Sequence, residues 1–125
     1  LQPVAAPVTS GFGLRVHPIL RFARMHRGID YGAPSGTPIV AAADGQVVKA
    51  GWAGGYGRQV RIAHGGGLLT SYSHMSRIVA PDGGLVRKGE LIGYVGSSGL
   101  STGPHLHYEV WKDGEAVNPA GVTLA

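Results

Sequence analysis

The sequence predicts an all-β domain built mainly from antiparallel strands, with little or no helix and with long loops that form a groove. Glycine accounts for 22 of the 125 residues, and many glycines separate short apolar runs, as expected for strands joined by tight turns. No segment predicts a helix of ordinary length. A chain that is 43% hydrophobic and 14% charged suits one folded domain with one core.

The first half of the chain predicts an extension, a loop and a hairpin. Residues 1–10, rich in Pro, Val and Ala, are interpreted as a linker or N-terminal extension, and residues 11–125 as the domain. Residues 20–25 have no clear period and are interpreted as loop. Strands are expected over residues 37–43 and 46–50, joined in a hairpin by the Asp44-Gly45 turn.

The second half repeats the pattern of short strands and glycine turns. Trp52 and Tyr56 fall in a glycine-rich loop, where both could line a groove. Further strands alternate apolar and polar residues or carry β-branched and aromatic side chains. They are expected over residues 58–64, 68–74 and 105–111, with turns at 65–67, 81–84 and 112–114.

The strand that begins at His105 carries the most informative pattern. Because side chains alternate along a strand, His105 and His107 point to one face, about 6–7 Å apart. Leu106, Tyr108 and Val110 line the opposite face. On this pattern alone, two histidines on a solvated sheet face remain as good an interpretation as a reaction site.

Composition narrows the chemistry and the partners. The absence of cysteine excludes disulfides and thiolate metal sites, so a metal would be held by His and carboxylate. A net charge of +4 and a pI near 9.8 favour anionic surroundings. No basic stripe interleaved with aromatics predicts nucleic-acid binding. No apolar run approaches the ~20 residues of a membrane helix, and no signal peptide is recognised, although the start at Leu1 leaves room for removed upstream segments.

Six histidines supply the candidate ligands, at positions 17, 26, 64, 74, 105 and 107. A catalytic zinc site uses three protein ligands, often two His and one carboxylate. His26, Asp30 and His107 provide that set. Gly28 lets the chain between His26 and Asp30 bend, so that both side chains can turn toward one point. His105, beside His107, and His74, from a second strand, could then take a proton from water and stabilise an oxyanion.

The motifs together resemble the lysostaphin-like (M23) family of zinc peptidases, which cut peptidoglycan cross-links. They are spread over roughly residues 10–120 and consist of His26-Arg-Gly-Ile-Asp30, Tyr72-Ser-His74-Met75 and Gly96-Ser-Ser-Gly-Leu-Ser-Thr-Gly-Pro-His-Leu-His107, with flanking Gly11-Phe-Gly13, His17-Pro18, Gly36-Thr-Pro38 and Asn118-Pro119. Each motif is short, but their combined spacing is specific.

The resemblance implies a zinc-dependent endopeptidase that hydrolyses amide bonds through metal-activated water. It assigns His26, Asp30 and His107 as zinc ligands and His74 and His105 as the catalytic pair. It also implies peptidoglycan peptide cross-links as the substrate and a periplasmic or extracellular place in the cell envelope. Which cross-link is cut, and which upstream domains or regulators act, cannot be read from the sequence.

The other polar residues near these motifs have simpler interpretations. His17 is interpreted as a structural or surface residue, and His64 as a hydrogen-bonding residue at a turn. Glu109 shares the face of His107 and is a candidate for orienting an imidazole. Tyr72 is expected on the face of His74, where it either hydrogen-bonds near the metal or packs.

Two other functions compete with the enzyme. A degenerate relative of the peptidases could regulate other wall hydrolases without catalysis, but such relatives typically lack zinc ligands, and here all five positions are filled. A biotinyl, lipoyl or phosphohistidine carrier domain is also β-rich. A biotinyl or lipoyl carrier needs a lysine at a hairpin tip, whereas Lys49 lies along a predicted strand.

Overall fold

The computed structural model describes residues 1–16 and 23–122, and the fold is all-β and antiparallel, as predicted. Two short 3₁₀ helices, Gly54–Tyr56 and Pro119–Gly121, interrupt the strands of this part. No described helix is long and apolar enough to span a membrane. The strands are β1 (Val8–Ser10), β2 (Gly13–Val16), β3 (Ala23–His26), β4 (Ile29–Gly32), β5 (Pro38–Val40), β6 (Gly45–Trp52), β7 (Arg58–Gly65), β8 (Leu68–Ile78), β9 (Leu85–Val86), β10 (Leu91–Val95), β11 (His105–Lys112) and β12 (Glu115–Val117).

One ten-stranded sheet organises the described chain. Its main order is β1-β4-β11-β8-β7-β6-β9, while β10 pairs with β5 and β8, and β12 pairs with β11. A separate two-stranded ribbon is formed by β2 and β3. The histidine strand β11 thus lies between β4 and β8, which brings the three main motifs side by side.

The long strand β8 changes partner along its length. Ser73 pairs with His107 of β11, whereas Met75 pairs with Val95 of β10. His74 lies at this change and has φ 62, a left-handed conformation that is uncommon for a residue with a side chain. This local turn redirects the His74 side chain relative to its neighbours in the strand.

The core lies on one face of the sheet. Leu106, Tyr108 and Val110 are buried there, on the face opposite His107, as the alternation along β11 predicts. The fully buried members of the core include Ile39, Val47, Val60, Ile62, Tyr72, Met75 and Ile92. The other face carries the polar side chains that form the site.

Two expectations about secondary structure are wrong. Residues 37–43 and 46–50 do not form a hairpin, because β5 pairs with β10 and β6 pairs with β7 and β9. The Asp44 carboxylate instead accepts a hydrogen bond from the backbone N–H of Lys88 at 2.7 Å. The loop predicted over residues 20–25 is the second wrong expectation, because residues 23–25 belong to β3. This strand is too short to show an alternating pattern in the sequence. Residues 20–22 lie outside the described part.

The N-terminal segment packs against the domain. Val4 is 2% exposed, and the carbonyl of Pro3 accepts a hydrogen bond from the N–H of Val40 at 2.8 Å. β1 then pairs with β4, with Ser10 opposite Asp30. The division between an extension over residues 1–10 and a domain over 11–125 stays a proposal, with this segment contributing to both the core and the sheet.

Candidate metal and catalytic site

Three strands bring the predicted ligands together. His26 ends β3 and Asp30 lies in β4, separated by the tight Arg27-Gly28 connection. His107 in β11 pairs directly with Asp30. One ligand atom from each of these three residues lies within 4.8 Å of the others, a grouping that could hold a metal ion. The arrangement depends on β4 and β11 being adjacent.

The His26 ring is oriented by the backbone. Its Nδ1 lies 2.7 Å from the carbonyl oxygen of Gly11. A carbonyl only accepts, so Nδ1 carries the proton of the neutral ring and Nε2 keeps its lone pair. Nε2 lies 3.4 Å from Oδ2 of Asp30 and therefore faces the centre of the group.

Asp30 and His107 form the tightest contact of the group. Asp30 Oδ1 lies 2.7 Å from His107 Nδ1. Burial alone would raise the pKa of Asp30, but the hydrogen bond and positive charge of His107, with the charges of His26 and His105, lower it. The carboxylate is therefore ionised and available as a ligand at neutral pH.

Glu109 holds the other side of the His107 ring. Glu109 is 2% exposed and its Oε2 lies 2.8 Å from His107 Nε2 and 3.1 Å from the Tyr56 hydroxyl. Its Oε1 accepts from the Ser71 hydroxyl at 3.2 Å and from Trp111 Nε1 at 2.9 Å. Four donors thus surround one buried carboxylate. Burial would raise the pKa of Glu109, but these hydrogen bonds and the charge of His107 lower it.

His107 consequently lies between two carboxylates in the metal-free site. Burial would lower the pKa of His107, but the hydrogen bonds and charges of Asp30 and Glu109 outweigh it and raise the pKa to about 9. With Nε2–H donated to Glu109, Nδ1 is the atom directed at Asp30 and at the remaining ligands. This second layer of contacts fixes the ring orientation that a metal would require.

His74 and His105 lie beside the ligands as a pair. Their ring centroids are 4.7 Å apart, and the His74 centroid is 6.1 Å from that of His107. His74 Nδ1 lies 2.7 Å from the carbonyl oxygen of Ser98, and His105 Nδ1 lies 2.9 Å from that of Gly103. Both neutral rings therefore donate from Nδ1 and keep Nε2 as a proton acceptor.

The electrostatics of His74 favour its neutral form. Burial lowers its pKa, and the positive charges of His105 and His107 add to this effect, while the Ser98 hydrogen bond and Asp30 oppose it. A neutral imidazole with a free Nε2 can accept a proton near neutral pH. His105 Nε2 lies 4.0 Å from Asp30 Oδ1. His105 therefore faces the ligand group with Nε2, whereas His107 faces it with Nδ1.

The structure therefore brings all five predicted site residues together, and their roles remain proposals. Tyr72 does not lie on the face of His74, because the positive φ at His74 breaks the alternation. Tyr72 is fully buried and hydrogen-bonds Thr70 and the N–H of Ala42, so it packs in the core. His64 makes hydrogen bonds at its turn as expected, and His17 lies outside the described residues.

Sequence reasoning missed the residues that support the site. The contact of Tyr56 with Glu109 was not predicted, although the glycine-rich loop identified Tyr56 as a groove residue. The Ser98 and Gly103 carbonyls that orient two of the histidines give no sequence signal, because every residue has a carbonyl. Gln59, which donates to Ser73 at 3.0 Å on the same sheet face, also went unnoticed.

A protein-family model and several curated proteins match the sequence of this chain. Residues 24–119 match the model of peptidase family M23. The chain is 53% identical over 117 residues to the DD-carboxypeptidase/endopeptidase Mpg of Neisseria meningitidis serogroup B, covering 94% of this chain and 27% of that protein. The chain thus spans about a quarter of the length of the curated relatives it matches.

Solved structures share the fold. A zinc-containing peptidase from Vibrio cholerae superposes with a TM-score of 0.91 at 33% identity, covering 99% of this chain and 40% of that one. The catalytic domain of the antimicrobial peptidase lysostaphin from Staphylococcus simulans superposes with a TM-score of 0.81 at 32% identity, covering 92% of this chain and 90% of that one.

Proposed function

This chain belongs to peptidase family M23, and we propose that it is a zinc-dependent endopeptidase that hydrolyses amide bonds in peptidoglycan cross-links. The proposed substrate is supported by relatives such as the peptidoglycan DD-endopeptidase ShyC of Vibrio cholerae, 43% identical over 118 residues. The same relatives support a place in the bacterial cell envelope, in the periplasm or outside the cell.

The observation that carries this proposal is the convergence of His26, Asp30 and His107 next to a second pair of histidines. Two imidazoles and a carboxylate are a typical donor set of catalytic zinc. The inward-facing atoms are fixed by outer contacts, with Gly11 behind His26 and Glu109 behind His107. This set fits zinc without any cysteine, and the zinc-containing relative supports the choice of metal.

Zinc, when bound, supplies a Lewis acid that polarises a carbonyl and lowers the pKa of water. The chain's own residues supply the proton chemistry and the orientation. His74 keeps Nε2 free and is neutral at neutral pH, so it can accept a proton from the attacking water and return one to the leaving amine. His105, on the other side of the pair, can donate from Nε2 when protonated and so stabilise the oxyanion.

An amide is a better substrate than a glycosidic bond for this site. A glycosidase commonly needs two carboxylates placed on either side of the sugar. Three of the seven acidic residues of this chain lie in Asp-Gly pairs, and the two in the site are occupied by the histidines. A non-catalytic regulatory module is less well supported, since the residues that such relatives typically lack are all present.

The test is mass spectrometry of the fragments released from purified peptidoglycan. The zinc-loaded protein is incubated with peptidoglycan cross-linked directly between D-alanine and a diamino acid, and with peptidoglycan cross-linked through glycine bridges. We expect new amino groups and peptide fragments from one kind, and none with His107→Ala. Release of reducing sugar ends without new amino groups, or no release from either kind, would contradict the proposal.

A further inference from the structure

A row of paired residues extends from the site across the polar face of the sheet. Glu109 of β11 pairs with Ser71 of β8, Ser71 pairs with Arg61 of β7, and Arg61 pairs with Lys49 of β6. Directly opposite residues of antiparallel strands share a face. Lys49 and Arg61, here called the basic pair, therefore lie on the same face as His107 and Glu109.

The basic pair has no acidic side-chain partner among the described residues. All seven Asp and Glu residues of the chain lie in the part that the structure describes, and every ion pair found there has a histidine as its basic member. Glu109, the nearest carboxylate along the row, already accepts from four donors. The Nε of Arg61 is buried and has no hydrogen-bond partner among the described residues.

Such an arrangement opposes folding. Like charges directly opposite one another on paired strands are destabilising, and a buried donor without a partner is unfavourable as well. The effect of Arg61 extends to the edge of the site: burial and Glu109 raise the pKa of Tyr56, and the positive charges of Arg27 and Arg61 oppose that rise. An anion bound at the basic pair would offset the repulsion between its two positive charges.

We propose that Arg61, assisted by Lys49, binds a free carboxylate of the peptide substrate and so determines which cross-links are accepted. This inference rests on the proposed function, because it needs a peptide lying across the site. The planar guanidinium presents paired donors that match a carboxylate, the group that ends every peptide chain. The lysine adds charge without directional demands.

The position of Arg61 separates it from the bond that is cut. Neighbouring strands lie about 4.8 Å apart, so Arg61 is two strand spacings, or roughly 10 Å, from the backbone of β11. An extended peptide advances about 3.3 Å per residue. The carboxylate bound by Arg61 therefore belongs to a residue about two to three positions from the scissile amide, and Arg61 is a specificity residue rather than a catalytic one.

The experiment compares two substrates that differ in one group. A synthetic cross-linked stem-peptide dimer is prepared with its carboxylates free, and again with each carboxylate converted singly to the carboxamide. The zinc-loaded protein should cleave the free acid with a kcat/KM about tenfold to a hundredfold higher than one of the amides. Arg61→Gln should abolish that preference, mainly through KM on the free acid, and keep the wild-type kcat/KM on the amide. Arg87→Gln, an exposed arginine outside the row, is the matched control and should keep the preference.

The outcomes distinguish this inference from the proposed function. If the wild-type protein cleaves neither dimer, the proposed function fails. If it cleaves the free acid and the amides equally well, Arg61 does not recognise a carboxylate and only the inference fails. The same holds if Arg61→Gln loses activity on the acid and on the amides to the same extent. Should Arg61→Gln not fold, Lys49→Gln supplies the second variant: a reduced preference supports the basic pair, and an unchanged one overturns it.

Discussion

Substituting Gly28 by alanine should damage the metal site without touching a ligand. Gly28 lies between His26 and Asp30 and is packed against β11. A Cβ at this position would meet the backbone oxygen of Tyr108 at 2.3 Å and Cγ of Glu109 at 2.9 Å. A backbone oxygen cannot turn aside as a flexible side chain can, so the strands themselves must separate.

The size of the effect follows from these contacts. The methyl group and the Tyr108 oxygen must move apart by roughly 1 Å to reach an ordinary van der Waals separation. Metal–ligand distances tolerate only about 0.2 Å, and Asp30 and His107 belong to the two strands that are forced apart. We expect metal affinity to fall about tenfold to a hundredfold, and the free energy of unfolding of the metal-free protein to fall by about 1–3 kcal/mol.

The assay is competition for zinc against a chromogenic chelator, with urea unfolding of the chelator-treated protein beside it. Gly51→Ala is the matched control, because a Cβ at Gly51 in β6 would meet nothing within 4 Å. Both variants should keep the strand content seen by circular dichroism. Wild-type zinc affinity in Gly28→Ala would refute the reasoning, since it would mean that β4 and β11 are not in the contact described.

Three further predictions concern the surroundings of the site. Glu109→Gln should destabilise the metal-free protein by about 3 kcal/mol, because it removes the buried negative charge that pairs with protonated His107. Urea unfolding checks this, and exposed Glu115→Gln should change little. The raised pKa of His107, about 9 against 6.5, stabilises the metal-free fold fully below pH 6.5. That stabilisation should be lost as the pH rises from 6.5 to 9, and a flat unfolding profile over this range would count against the double carboxylate contact. Ser98→Ala should lower turnover about tenfold to a hundredfold with zinc content unchanged. The Ser98 hydroxyl donates to the carbonyl of Met75 and so fixes the loop in which the Ser98 carbonyl orients His74. Equal turnover would show that this hydrogen bond is dispensable.

Local patterns accounted for much of the fold. The alternation over β7 and β11 indicated which residues face the core, and the turns after residues 64 and 112 join neighbouring strands as predicted. The pairing of β5 with β10 was not predictable in this way, because the partners are about fifty residues apart and no turn connects them. The Asp44-Gly45 pair was misleading for the same reason, since Asp44 caps the backbone of Lys88 instead of closing a hairpin.

The candidate site shows the same division between local and long-range information. Residue types and spacing sufficed to name the five histidine and aspartate positions that the structure brings together. Their orientation comes from elsewhere: the left-handed conformation of His74 arises where β8 changes partner, and Glu109 collects donors from the loop of Tyr56 and from Ser71 on β8. Such contacts depend on the assembled sheet, so they cannot be predicted from any single segment of sequence.

The central claim is that His26, Asp30 and His107 bind the metal while His74 and His105 carry the proton chemistry. The most direct measurement is zinc per chain and cleavage rate for His105→Ala and His107→Ala, made on the same preparations. We predict that His105→Ala keeps one zinc and loses about 10²–10⁴-fold in rate, whereas His107→Ala loses the zinc and the activity together. Loss of zinc from His105→Ala, or full zinc occupancy in His107→Ala, would contradict this division of roles between two residues of one strand.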